Sequence, residues 1–305
     1  MIRVLANDGM DTAAVKELER QGIEVTTDHF DGDELAQKVR EYHVLTVRSA
    51  TKVREPLIDE MAAGGRMKLI LRGGVGIDNI DVAYANEKGI EVKNTPMASS
   101  ISVAEATIAH MLSFSRFLHL SNHTMRKGEW NKKKYEGTEI YNKTLGLVGF
   151  GRIAKEVAKR ADALGMKVLY TNRSGPNDKF RAYEYVNLDE LLLRSDFISL
   201  HTPSNPDGSA LIGREEIGKM KENAVLINLA RGDLIDEGAL VEALDQGRLK
   251  GACLDVFSKE PMENTALLHE KICLTPHIGG STKEAQERTG QELVQHILAF
   301  VEERK

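Results

Sequence analysis

Three loops of this chain each offer one residue able to handle a proton or an anion. "INLARGDLIDEGAL" carries Arg231, "LDVFSKEP" carries Glu260 and "LTPHIGGST" carries His277. Each loop follows a short apolar or β-branched run, so each residue is expected at the C-terminal end of a strand, the edge at which open α/β sheets bind ligands. Alone, none says much: a histidine after a strand is more often structural, an arginine more often a surface charge, and a glutamate before proline more often a solvated loop residue. Together they suit the oxidation of an alcohol by hydride transfer. A base must take the hydroxyl proton as hydride leaves carbon, and histidine has a reference pKa of about 6.5. A carboxylate on its other ring nitrogen would fix the tautomer and stabilise imidazolium. A guanidinium can hold a substrate carboxylate through paired N–H donors.

The hydride needs an acceptor, and "LGLVGFGRIAKEVAKRADALG" reads as its seat. A strand ends at Gly149, the spacing Gly149-x-Gly151-x-x-Ala154 follows, and a helix begins. Glycines there permit a tight turn and let backbone N–H groups approach a pyrophosphate, which the helix N-terminus also attracts. The next strand ends near Asn172, within a few residues of the offset, about 20, at which a ribose-binding acid is expected. Asn172 stands in the acid's place and is followed by Arg173 and Ser174. Without a carboxylate there is nothing to repel a 2′-phosphate, and the cation and hydroxyl could bind one. The sequence leans towards NADP(H). NAD(H) stays open, with Asn172 on the ribose hydroxyl and Arg173 in solvent.

What must position these residues is an alternation of short strands and helical segments, the pattern of parallel βαβ units, so the fold class is α/β. A first series has "RVLA", "IEVT", "VLTV", "LIL" and "IEVK". A second has "TLGLVGF", "KVLYT", "FISLH", "AVLINLA", "GACLDVF" and "ICLTP", which predicts six strands in a second sheet. Between them Pro96 breaks the chain, and Ser102 with Glu105 reads as a capping box for a long helix. The spacing of Ala285, Leu293, Ile297, Phe300 and Val301 predicts a terminal helix able to return to the first domain. The expected domains are residues 1–95 with 283–305, and residues 96–282.

Composition narrows the partners. The chain has 305 residues, 41% of them apolar, enough for two cores, and 41 Lys and Arg against 46 Asp and Glu give a formal charge of -5. No basic footprint for nucleic acid or polybasic arm for a membrane follows. Cys253 and Cys273 are not in a metal-ligand spacing and read as core residues, and no metal is expected. "MIRVLANDGM" has no long apolar run, so a reducing cytoplasm is the expected setting. His110, His119 and His123 read as helix-packing or surface residues.

Across essentially its whole length the chain resembles the D-isomer-specific 2-hydroxyacid dehydrogenase family. The resemblance implies a Rossmann dinucleotide-binding domain and a flavodoxin-like substrate domain. It also implies His277 as acid/base, Glu260 as its partner and Arg231 as carboxylate anchor. The cofactor is NAD(P)(H), implied to meet Gly149, Gly151, Arg152, Ile153, Asn172, Arg173, Thr202, Ala230, Asp255 and Gly279, with Asp255 orienting the nicotinamide carboxamide. Within the family, "VRSATKV", "GVGIDNID", "KNTP", "GEWNKKKYEGTEI", "ARGDLIDEGAL" and "PHIGGSTKEAQ" most resemble members that oxidise 3-phosphoglycerate to 3-phosphohydroxypyruvate for serine biosynthesis. By that resemblance Arg48 and Ser49 bind the phosphate. Gly73, Gly74 and Gly76 stand close together, where exposed backbone N–H groups could form a nest for the carboxylate, and Gly74, Val75 and Gly76 are implied substrate-binding positions. Ser99 departs from the pattern, since those members usually carry Asn there. A glyoxylate or hydroxypyruvate reductase would share the three anchors and often has Arg in the "NRS" position; Arg48 argues against it. A nucleotide-sensing corepressor or scaffold of the same fold is the remaining alternative. The arm from Trp130 to Tyr141 would be poorly buried on a monomer, and a homodimer is expected. Lys132–Lys134 reads as a solvated loop, or as a cationic reach into a neighbouring subunit.

Overall fold

The computed structural model describes residues 2–177 and 180–304. Met1 and Lys305, the ends of the expected first domain and terminal helix, lie outside the described residues, as do Asp178 and Lys179. The chain divides into one unit of Met1–Ser99 with Ser281–Lys305 and another of Ser100–Gly280, a few residues from the limits expected at 95 and 283.

The first unit is built on five parallel strands, β1 (Arg3–Ala6), β2 (Glu24–Thr26), β3 (Val44–Val47), β4 (Leu69–Arg72) and β5 (Glu91–Asn94), in the order β2-β1-β3-β4-β5. That order is the flavodoxin-like winding. Successive side chains of a strand point to opposite faces. Accordingly Val4, Val44 and Leu69 pack on one face with Leu293, Ile297 and Phe300 of the terminal helix Lys283–Glu302. Leu5, Leu45 and Ile70 pack on the other with Val39, Ile58 and Met61. Each large apolar side chain so buried stabilises the unit by about 1.5–3 kcal/mol. The terminal helix approaches the helix Thr12–Arg20 through Gly290, where an added Cβ would stand 2.9 Å from the Cβ atoms of Ala14 and Asp11. A larger residue at 290 would force the two helices apart.

The second unit has seven parallel strands, β6 (Thr144–Val148), β7 (Lys167–Thr171), β8 (Glu184–Tyr185), β9 (Phe197–Leu200), β10 (Val225–Asn228), β11 (Gly251–Leu254) and β12 (Ile272–Leu274). Their order is β12-β11-β10-β9-β6-β7-β8, the dinucleotide-binding winding with one further strand. The count is seven where the sequence predicts six. The extra strand, β8, is a two-residue edge pairing of Leu169–Tyr170 with Glu184–Tyr185, too short to give an alternating pattern. Leu226 faces one core with Ile198 and Leu254, while Val225 and Ile227 face the other with Leu145, Leu147 and Ala158.

The crossing helix departs from expectation at its start. It starts at Ser100, so Ser102 lies buried inside the first turn rather than at the cap position that the sequence predicts, and Glu105 pairs with Arg160 at 3.2 Å. It stops at Ser115, because Phe117 takes a left-handed conformation (φ 54°) before a second helix, Leu118–Arg126.

Candidate active site

Arg231, Glu260 and His277 follow β10, β11 and β12, three adjacent strands of one sheet. The loops bearing Arg231 and Glu260 touch backbone to backbone at Gly232, where a Cβ would lie 1.9 Å from the Phe257 carbonyl. Glu260 Oε1 accepts from the Phe257 N–H at 3.2 Å, and its Oε2 stands 2.7 Å from His277 Nδ1. With the carboxylate accepting, Nδ1 carries a proton and Nε2 is left to exchange one with a substrate. Both side chains remain partly open to solvent, 46% for His277 and 38% for Glu260.

His277 itself sits at φ 54°, a conformation that a non-glycine residue adopts only when its surroundings fix it. Asp255, at the end of β11, does the fixing. Its buried carboxylate accepts from the N–H groups of Ile278 at 2.8 Å and Gly279 at 2.7 Å, and from the Thr275 hydroxyl. These three bonds occupy all but one of about four lone-pair sites on the carboxylate. The expected hold of Asp255 on a nicotinamide carboxamide is thus limited to one remaining site, because most of the group braces the His277 loop. Thr275 Oγ1 also lies 2.9 Å from His110 Nε2, so His110, read from sequence as packing, belongs to this brace. Since the Thr275 hydroxyl donates to Asp255, His110 Nε2 is the donor.

The glycine turn follows β6. Gly149 (φ 88°) needs glycine twice over, since a Cβ would also stand 2.5 Å from the His201 carbonyl oxygen. Gly151 is different. Its backbone is extended (φ -78°, ψ -162°) and a Cβ there would meet nothing within 4 Å. Neither strain nor packing demands glycine at 151, which fits a position kept small for a ligand. Arg152 and Ile153 open the helix Arg152–Ala163, and Ala154 is fully buried. Thr202 follows β9, while the Ala230 N–H donates to Asn228 Oδ1 at 3.0 Å. Gly279 lies against Asp255 and Leu229. Beyond β7, Asn172 Nδ2 donates to Ser174 Oγ at 2.8 Å and Arg173 Nη2 to Asn205 Oδ1 at 3.1 Å. Burial pushes the His201 imidazole down to about 4, and its Nε2 pairs with Ser199 Oγ at 2.9 Å.

In the first unit, Arg48 and Ser49 follow β3 and the glycine cluster follows the neighbouring β4. The Arg48 loop is held from below by Asp8, which the sequence did not single out. Its carboxylate, 4% exposed, accepts from Arg48 N at 2.6 Å, Thr51 N at 3.1 Å and Thr51 Oγ1 at 2.6 Å. Asn79 Nδ2 ties down the carbonyls of Arg48 and Thr51, each at 2.8 Å. The expected nest is narrower than the sequence suggested. The N–H groups of Gly73 and Gly74 donate to the Val47 and Arg72 carbonyls at 2.8 and 2.9 Å, which narrows the candidate donors to Val75 and Gly76.

Lys132–Lys134 forms an exposed single turn, and Trp130 and Tyr141 are 77% and 63% exposed. His119 and His123 lie on the second helix, with His119 stacked on Phe114. Cys253 and Cys273 are buried neighbours in register. Among the described residues no group of three or more His, Cys, Asp or Glu could hold a metal, and no helix is long and apolar enough to cross a membrane.

Arg231 Nη1 donates to the Ala230 carbonyl at 2.6 Å. A dinucleotide-binding sheet whose strand ends carry a carboxylate-paired histidine and, two strands away, an arginine defines a class: nicotinamide-dependent dehydrogenases of small hydroxy acids. The chain belongs to the D-isomer specific 2-hydroxyacid dehydrogenase family, whose NAD binding domain model matches residues 108–279. It is 46% identical over 301 residues to a hydroxypyruvate reductase of Thermotoga maritima, covering 97% of both chains. It is 44% identical over 302 residues to a D-3-phosphoglycerate dehydrogenase of Methanocaldococcus jannaschii, covering 97% of this chain and 57% of that one. Among solved structures, an acyclic imino acid reductase in complex with NADPH and D-Arg superposes with a TM-score of 0.89 at 30% identity, over 99% of this chain and 98% of that one.

Proposed function

We propose that the protein interconverts 3-phosphoglycerate and 3-phosphohydroxypyruvate, the entry step of serine biosynthesis, with a nicotinamide cofactor. The observation that carries the reading is the His277–Glu260 contact at 2.7 Å in the second unit. In the first unit, Arg48 offers a cation of the kind a phosphate needs, on a loop held by Asp8 and Asn79. Bound nicotinamide would supply the two-electron acceptor, held by Gly149, Gly151, Arg152 and Ile153 at the turn, by Thr202, Ala230 and Gly279, and by the free site on Asp255. His277 Nε2 takes the proton from the substrate hydroxyl, and Glu260 stabilises the imidazolium that forms. Arg231 holds the substrate carboxylate, with Val75 and Gly76 N–H groups as further donors, and so sets which face of C2 reacts. Arg48 and Ser49 take the phosphate. Asn172, Arg173 and Ser174 accept the 2′-phosphate of NADP(H), and the protein acts as a homodimer through the Trp130–Tyr141 arm.

Reduction of unphosphorylated hydroxypyruvate is the second reading, favoured by the similarity to the Thermotoga maritima enzyme and by Ser99. A spectrophotometric panel of 3-phosphoglycerate, 3-phosphohydroxypyruvate, hydroxypyruvate, glyoxylate and 2-ketoglutarate with each cofactor separates them. The first reading expects the phosphorylated pair to have the highest kcat/KM and Arg48→Ala to raise its KM at least about 10-fold, as loss of a charge-assisted bond does. An Arg48→Ala enzyme with unchanged preference would remove the phosphate assignment.

A further inference from the structure

The loop that presents Glu260 is tied down at both ends by a residue outside the three anchors. Glu237 opens the helix Glu237–Asp245, but that helix is already capped by Asp236, whose Oδ1 accepts from Ala239 N at 3.0 Å. The Glu237 carboxylate is turned elsewhere. Its Oε1 accepts from the Ser258 N–H at 2.8 Å and its Oε2 from Asn264 Nδ2 at 2.8 Å. Ser258 and Asn264 bracket Glu260, and Asn264 is itself fixed because its Oδ1 accepts from Ala266 N at 3.2 Å. Within the bracket, residues 258–261 are exposed, and the Lys259–Glu263 pair at 2.6 Å joins the loop only to itself. At one end the Gly232–Phe257 approach holds the backbone from the side of Arg231. Glu237 supplies side-chain ties at both.

We propose that Glu237 is a positioning residue for the reaction, bridging Ser258 and Asn264 so that the loop between them delivers Glu260 to His277. The proposal rests on His277 and Glu260 acting as the acid/base pair. An exposed loop released at one end no longer holds its side chains in one place, and a displacement of about 1 Å in such an assembly costs up to about 10²-fold in rate. Gln at 237 keeps one acceptor oxygen and sets an NH2 against a donor, since Asn264 cannot turn its own amide without losing Ala266.

The test is a double-mutant cycle of Glu237→Gln and Glu260→Gln, read as kcat for reduction of hydroxypyruvate or 3-phosphohydroxypyruvate, whichever the wild type turns over faster. Melting temperature and NAD(P)H affinity are followed alongside, and Asn264→Ala serves as a second way to open the bracket. Expected are a loss of roughly 10-fold in kcat for Glu237→Gln with KM nearly unchanged, and less than about twofold further loss when it is added to Glu260→Gln. Asn264→Ala should repeat the pattern. Equal losses in both backgrounds, or wild-type kcat in Glu237→Gln and Asn264→Ala, would overturn the proposal. Wild-type turnover by Glu260→Gln would remove the acid/base pairing itself, and the proposal with it.

Discussion

Asn172→Asp should reverse the leaning of the cofactor site. In the wild type Asn172 donates to Ser174 at 2.8 Å and Arg173 reaches Asn205 at 3.1 Å, so a neutral amide and a cation stand together past the end of β7. A carboxylate at 172 set about 4 Å from a 2′-phosphate would repel it by about 1 kcal/mol in fully aqueous surroundings and about 4 kcal/mol at an effective dielectric of about 20. Asn172 is half-buried and Arg173 exposed, which places the penalty in the lower part of that range, about 1–2 kcal/mol, or about 5- to 30-fold in relative affinity. The introduced carboxylate would meanwhile accept from the 2′-hydroxyl of NAD(H), so the two cofactors move in opposite directions. Arg173→Ala removes an exposed cation, worth about 0.2–1 kcal/mol, and should weaken NADP(H) alone by no more than about fivefold. The assay is kcat/KM for NADH and NADPH in all three proteins at one 2-keto acid concentration series. Cofactor ratios unchanged in both variants would refute the reasoning, and a strong wild-type preference for NADH would make Asn172 a neutral ribose ligand instead.

Arg231→Ala should raise KM for the 2-keto acid by about 10-fold or more while NAD(P)H affinity stays within about twofold, since the lost bond is charge-assisted and made to substrate; steady-state kinetics with a fluorescence titration of NADH checks it, and an unchanged KM would count against the anchor. His201, pushed down to about 4 in the folded state against an unfolded value of about 6.5, makes the unfolded chain bind the extra proton between those values. Its stabilising effect is therefore fully present above pH 6.5 and lost as pH falls towards 4, by at most about 3 kcal/mol; urea melts at pH 7 and 4.5 should show that loss shrinking in His201→Asn, and equal losses in the two proteins would contradict it. Light scattering at micromolar concentration should give a mass near twice 33.8 kDa, and a monomer mass would sink the dimer.

The strand ends are legible in the sequence because each apolar run stops at a polar or glycine-rich loop, which puts Arg231, Glu260 and His277 at the C-terminal edge of a sheet. Ordering the strands follows from winding rules once the glycine turn marks where the second sheet begins. What sequence hid falls into two kinds. Phe117 and His277 at left-handed φ are fixed by tertiary contacts, and nothing in their residue type announces them. The roles of Asp255, Asp8 and Glu237 depend on bonds to residues 20 to 43 positions away, such as Asp255 to Thr275 and Asp8 to Thr51, which periodicity does not report. The nest fails in part for the same reason, since Gly73 spends its N–H on Val47 of the neighbouring strand. One signal was available: Glu237 and Asp236 are adjacent acids at a helix start that needs only one cap.

The central claim is that His277 moves the proton while the chain's other residues hold substrate and cofactor. Turnover of His277→Ala, measured with and without added imidazole and alongside NAD(P)H affinity by fluorescence, addresses it most directly. The expected result is a fall in kcat of about 10²-fold or more, a cofactor affinity within about twofold of wild type, and partial recovery of the lost rate with imidazole. Turnover within a few-fold of wild type, or a loss traced wholly to weaker cofactor binding and insensitive to imidazole, would contradict it.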